Sequence, residues 1–262
     1  MGAAGAALAT AISQSVSFLM LLSVFILKKS IISIHPRHIS RRLSDYWLIV
    51  STGFPTLCRQ GLASIATVLI NIKGKLYGDA AVAALTIANK VYLLIRNIII
   101  GIGQGFQPIA GYNYGSGHPD RLKEVFTLVM RIDVFIGFIA MTIGLSIPGL
   151  IGRLFTSDME LISMVKPCMR WLTVMMPLIC MTITNSQFFM AVDKPWISIV
   201  TSLSRQVIFL LPMIYIVPAI FTHFGGDGLT GLWVSNTISD VTGAVLAVSL
   251  LLTQLRIFRE AK

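Results

Sequence analysis

The chain has 262 residues, of which 55% are hydrophobic and only 12% charged, and its mean hydropathy is +0.80. Soluble domains carry about 25% charged residues, so too few remain here to cover a water-facing surface, and the composition is that of an integral membrane protein. The net charge of +10 sits mainly between apolar runs, where it sets orientation in a bilayer and argues against a nucleic-acid partner.

A bilayer-spanning helix needs roughly 20 predominantly apolar residues. Seven runs meet that requirement: 3–27, 46–72, 80–112, 125–150, 164–192, 196–221 and 229–255. They are continuous, whereas a membrane β-barrel shows short alternating segments. The expected fold class is therefore an all-α integral membrane protein with seven transmembrane helices.

The first run is no secretory signal peptide: no basic residues precede it, it exceeds a typical apolar region of that kind, and Lys28 and Lys29 follow. The longest and most basic loop, KKSIISIHPRHISRRLSD, comes next at 28–45. It separates one span from six closely connected ones, so a boundary is expected near residue 45, with a six-helix lobe over 46–262.

Lys and Arg in short loops set topology. The loop at 28–45 carries five of them; Arg121, Lys123, Lys194, Arg256, Arg259 and Lys262 bring that side to eleven, against Lys73, Lys75, Arg153 and Lys166 on the other. The loops after spans one, three and five and the C-terminus are thus expected in the cytoplasm, with residue 1 outside. Trp47, Trp196 and Trp233 fall near span ends, as interfacial anchors do.

Ionisable residues at membrane depth face a bundle interior or a wet cavity. Arg131, Asp133 and Arg170 are expected to snorkel from near span ends, with Lys90 partly buried. Arg59, Arg96, Arg205 and Asp240 are deep. At a rise of about 1.5 Å per residue, Arg59 and Asp240 lie roughly 20 Å and Arg205 roughly 14 Å from the cytoplasmic ends of their spans. Asp240 can pair with Arg59 or with Arg205, either as a structural ion pair or as part of a substrate or proton path. Arg59-Gln60 and Arg205-Gln206 repeat one dipeptide at similar depth.

The third span ends in GIGQGFQPIAGYNYGSG, residues 101–117, with six glycines and Pro108. A phosphate-binding loop needs a strand before it and a helix after it, and here a long apolar helix precedes, so nucleotide binding is excluded. Pro55, Pro108, Pro148, Pro177, Pro212 and Pro218 also fall inside spans. Such residues are common where transporter helices bend around a substrate path. Twelve methionines suit an adaptable apolar cavity as well as ordinary packing. Cys58, Cys168 and Cys180 all sit in apolar runs and form no disulfide or metal pattern. HExxH, GxSxG and CxxC do not occur, and His35, His38, His118 and His223 all lie in loops. The residues point to no enzyme, cofactor or metal site.

ALTIANKVYLLIRNIIIGIGQGFQPIAGYNYGSGHPDRLKE resembles the eighth helix and following loop of multidrug and toxin extrusion (MATE) transporters, with GxGQGxQPxxGYNxGxG its most specific part. LSDYWLIVSTGFPTLCRQGLASIATVLIN is similar to the start of that family's second lobe. NSQFFMAVDKPWISIVTSLSRQVIFLLPMIYIVP and GLTGLWVSNTISDVTGAVLA resemble its tenth to twelfth helices.

The resemblance covers essentially the whole chain from the family's sixth helix onward. It implies that 1–27 belongs to a preceding lobe, that 28–45 is the cytoplasmic inter-lobe loop, and that an N-terminal lobe is missing from this chain. It further implies a multi-pass protein of the cell inner membrane that exports amphipathic, often cationic, drugs in exchange for H+ or Na+. Substrate would bind between two rocking lobes. The cavity or gate candidates are Arg59, Gln60, Arg96, Asn97, Gln104, Gln107, Pro108, Tyr112, Asn113, Arg205 and Gln206, with Asp240 for coupling or ion pairing.

Span two departs from some family members, which carry an acid there; this chain has Cys58, Arg59 and Gln60. Coupling then rests on an acid of the absent lobe or on Asp240. Three deep arginines against one aspartate also fit a flippase of the same superfamily, acting on lipid-linked oligosaccharide or polysaccharide. A seven-helix receptor matches the span count but lacks an extracellular cysteine pair, and a chain inert without its N-terminal lobe is the further alternative.

Overall fold

The structure, a computed structural model, describes residues 2–27 and 42–254. Most of the predicted basic loop at 28–45, and the tail cations Arg256, Arg259 and Lys262, lie outside the described residues. Ten α-helices follow in order, with no strand among the described residues. They are α1 (Gly2–Ile26), α2 (Leu43–Lys75), α3 (Asp79–Gly115), α4 (Pro119–Ser146), α5 (Pro148–Phe155), α6 (Met159–Thr173), α7 (Met176–Ala191), α8 (Pro195–Leu203), α9 (Leu211–His223) and α10 (Gly228–Thr253). A π-helical segment, Ser204–Leu210, joins α8 to α9. The chain divides into compact units Met1–Thr52 and Gly53–Lys262.

Helices α3, α4, the α8–α9 run Pro195–His223 and α10 are each long and apolar enough to cross a membrane, and the bent pair α6–α7 makes a fifth such span. Helices α1 and α2 cover the first two predicted spans with 25 and 33 residues. The all-α membrane fold is thus present.

Prolines place the interruptions that apolarity could not show. Pro148 disfavours a helical conformation at Ile147, which lies at φ −127°, and the predicted fourth span breaks into α4 and α5. The predicted fifth span breaks after Thr173 and bends by 48°. Pro177, at the start of α7, has no N–H to continue the ladder across that joint. In the sixth, Pro212 supplies no N–H for the carbonyl at position 208 and crowds it. The wider π register just before it relieves that conflict.

Helix α3 passes through Pro108 and the glycine-rich stretch without a break. It ends where Gly117 adopts φ 70°, a left-handed turn that other residues resist. The N–H of His118 there reaches the Asn113 carbonyl at 3.0 Å. Asp158 and Asp227 cap α6 and α10 through their side-chain oxygens.

Within Gly53–Lys262 the core is layered along the helices. One apolar cluster joins α3, α6, α9 and α10 around Leu85, Met169, Ile214 and Leu232. At the other end Phe106, Phe126, Phe188 and Phe189 pack together, with the Phe126 and Phe188 rings 4.7 Å apart. A small cluster of Tyr92, Ala140, Met176 and Ile179 lies between them. Trp233, expected at an interface, is 3% exposed inside the first cluster instead, because α10 buries the face that carries it.

Candidate functional site

The middle of this unit is polar. Arg205, on the π segment, donates from Nε to Asp240 of α10 in a buried ion pair. Its Nη2 donates to the Tyr92 hydroxyl of α3 at 2.7 Å. Asp240 and Gly243 share one face of α10, and the stem of Arg205 lies over the glycine: a Cβ there would be 2.9 Å from Arg205 Cβ. The glycine makes room for the arginine, and the aspartate one turn earlier receives its charge.

Two small cavities adjoin this pair and share Arg96, Arg205 and Gln206. The first, about 80 Å³, is completed by α7 residues Thr182, Ser186 and Gln187 and by Ser202. The second, about 100 Å³, reaches Asn89, Tyr92, Asn236 and Asp240. The Ser186 hydroxyl stands 2.7 Å from those of both Ser198 and Ser202, which ties α7 to α8. Gln107 of α3 donates to Gln187 at 2.5 Å, and Gly103 lies against the same glutamine.

The predicted residues separate on this geometry. Arg96, Arg205, Gln206 and Asp240 come together, and Gln107 joins the wall through Gln187. Asn97, Gln104, Pro108 and Tyr112 are exposed on the surface of α3. Asn113 is buried, but its amide donates to the Ile109 carbonyl of its own helix at 2.8 Å. The side chains of Arg59 and Gln60 lie outside the described residues; of the two partners considered for Asp240, Arg205 makes the bond.

Asp133 departs from expectation. It is fully buried rather than snorkelling, because α4 starts at Pro119 and not near 125, which moves the carboxyl to mid-helix. Arg131, Arg170 and Lys90 are exposed, as snorkelling cations are.

Sequence reading passed over the uncharged wall: Tyr92, Thr182, Ser186, Gln187, Ser202 and Asn236. The pairs Thr182/Ser186, Ser198/Ser202 and Asn236/Asp240 are four residues apart, a spacing that puts polar groups on one face of an apolar helix. That periodicity was the available signal.

Residues 54–216, more than half of the chain, match the MatE family model. The multidrug export protein MepA of Staphylococcus haemolyticus is 22% identical over 93% of this chain and 52% of its own length. Protein DETOXIFICATION 45, chloroplastic, of Arabidopsis thaliana is 26% identical over 89% of the chain and 40% of its own length. The chain thus spans about half the length of the curated MepA relatives it matches. In fold, a MOP superfamily transporter from Pyrococcus furiosus, described as having a binding pocket of reversed polarity, superposes with a TM-score of 0.83. That superposition covers 98% of this chain and 57% of that one at 21% identity. The helical unit built around Arg205 and Asp240 is a transporter fold and not an enzyme, and the chain belongs to the MatE family of membrane transporters.

Proposed function

We propose that the chain forms the substrate-facing wall of one lobe of a secondary antiporter. It exports amphipathic, often cationic, drugs in exchange for H+ or Na+ by alternating access. One observation carries the reading: within a MatE-family bundle, a polar cavity is set between apolar clusters, lined by Arg96, Gln187, Arg205 and Gln206. At about 80 and 100 Å³, the two cavities are too small for a drug-sized ligand, which needs roughly 300–1,000 Å³. A second lobe, on this chain or another, supplies the facing wall. Gln104, Tyr112 and Asn97, exposed on α3, are then placed to meet it or lipid.

The test is drug resistance in a hypersensitive bacterial host that produces the full chain, with and without a co-produced N-terminal MATE lobe. Resistance with both lobes is the expected result. Resistance from the chain alone would overturn the need for a second lobe, and none in either case would overturn drug export.

A second reading has its own support. Asp240 is paired with Arg205, which leaves Arg96, among the described residues, as a positive charge without an ion-pair partner on both cavities. A net-positive wall suits an anionic substrate such as a lipid-linked pyrophosphate, and the pocket of reversed polarity in the P. furiosus transporter is consistent with that. Arg96→Gln separates the two. Removing a like charge strengthens binding of a fluorescent cationic dye by roughly tenfold, whereas an anion loses a similar factor.

A further inference from the structure

Asp133 takes no part in the cavity site, yet it is fully buried, roughly 21 Å along α4 from its start at Pro119. Apolar clusters bracket it, with Phe126, Val129 and Phe188 on one side and Ala140, Met176 and Ile179 on the other. On the facing helix, Thr184 Oγ1 lies 2.6 Å from Asp133 Oδ2 and 2.9 Å from the Cys180 carbonyl oxygen. Among the described residues no donor reaches the other carboxyl oxygen, Oδ1.

A threonine hydroxyl carries one proton. When it donates to the Cys180 carbonyl, the common back-bond of a helix, none is left for Asp133. An ionised carboxylate would then be buried between apolar clusters without a donor, the arrangement proteins avoid most strongly. A carboxylic acid fits. Its O–H donates to Thr184 Oγ1, Thr184 donates to the Cys180 carbonyl, and both protons are used.

Among the described residues no cation compensates. Helix α7 carries no Asp, Glu, Lys, Arg or His, and its titratable group near Asp133 is the Cys180 thiol. From α3, Lys90 and Asp79 are exposed, Arg96 turns to the cavities and Tyr92 is bonded to Arg205. From α6, Glu160, Lys166 and Arg170 are exposed and Cys168 is in the first apolar cluster; from α5, Arg153 is exposed.

The same helix forms the cavity wall. One face of α7 presents Thr182, Ser186 and Gln187 to the first cavity, and another packs on α4. Beside the Phe126–Phe188 ring contact, two further contacts hold that packing. Thr184 meets Asp133, and Pro177 lies so close to Gly137 that a Cβ there would stand 2.7 Å from Pro177 Cα. Helix α7 follows a 48° bend and so forms one half of a broken span. Asp133 lines neither cavity, so its proton exchanges with water only when α4 and α7 part.

We propose that Asp133 is a proton-binding site of this lobe, and that loss of its proton shifts the α7 half-span and remodels the cavity wall at Thr182, Ser186 and Gln187. This deepens the transport reading and rests on it for its purpose. It moves the coupling role from Asp240, which Arg205 neutralises, to an acid without a counter-ion among the described residues.

Infrared difference spectroscopy on the full chain in lipid nanodiscs tests it without any substrate, so its outcome is independent of whether drugs are exported. Between about pH 5 and about pH 9, a protonated-carboxyl band is expected to titrate. The near-isosteric Asp133→Asn abolishes the band, Asp240→Asn retains it, and Thr184→Val shifts its frequency by removing the acceptor. In parallel, amide exchange of residues 176–187, corrected for intrinsic pH effects, rises on the order of tenfold across that range in the parent chain and stays flat in D133N. A band that survives D133N, or exchange that tracks pH equally in both proteins, overturns the proposal.

Discussion

At the residue scale, the site is governed by one buried charge pair. Arg205 and Asp240 are 13% and 2% exposed in their side chains, so their attraction is weakly screened, and an orphaned partner has nowhere to be solvated. Asp240→Ala is expected to destabilise the protein by about 3–5 kcal/mol, the range for breaking a buried pair, while Arg205→Met/Asp240→Leu costs far less than the two single changes together. Thermal unfolding in detergent across the double-mutant cycle measures this. Additive losses would mean that the two side chains act independently.

At the element scale, glycines and prolines decide how the helices meet. An added Cβ at Gly137 collides with the backbone of Pro177, which yields less readily than a side chain, so Gly137→Ala is expected to cost about 1–3 kcal/mol. At Gly103 the obstacle is the flexible Gln187 side chain, 2.7 Å away at Cγ. That substitution displaces Gln187 and forfeits its bond to Gln107, worth about 1 kcal/mol. Gly105 has open space around it, so Gly105→Ala is neutral or stabilising by about 0.5–1 kcal/mol through helix propensity. Denaturation midpoints in detergent rank the three. Pro212→Ala should return 204–210 to α-helical register and turn Arg205 away from α10. The coupling energy of the Arg205–Asp240 cycle then falls towards zero in that background.

At the scale of the whole molecule, the proposed function makes the cavity one wall of a binding site rather than a closed pocket. Dye bound to the chain alone is therefore expected to be weaker by on the order of a hundredfold or more than dye bound between two lobes, because one wall buries far less of the ligand than the 70–90% typical of pockets. Fluorescence anisotropy of a cationic dye, with and without a co-purified N-terminal lobe, checks this. Equal affinities would place the whole binding site in this chain.

Much of the architecture was legible in the residues. Apolar runs of bilayer length are a local property of the chain, because a helix in lipid must satisfy its backbone internally whatever its neighbours do; the spans follow from that. The specific run GIGQGFQPIAGYNYGSG carried the family. What the tertiary structure alone decided is which polar groups share an interior. Arg205 and Gln206 meet Asp240 and, from α3, Arg96 where the π segment carries them and Gly243 makes room for the arginine, whereas Asn97, Gln104 and Tyr112, equally polar in sequence, stay outside on α3. Asp133 was misplaced because apolarity marks where a span becomes oily, while its helix begins earlier, at Pro119. Depth and partner are relations between helices, and they exist only once the helices have packed.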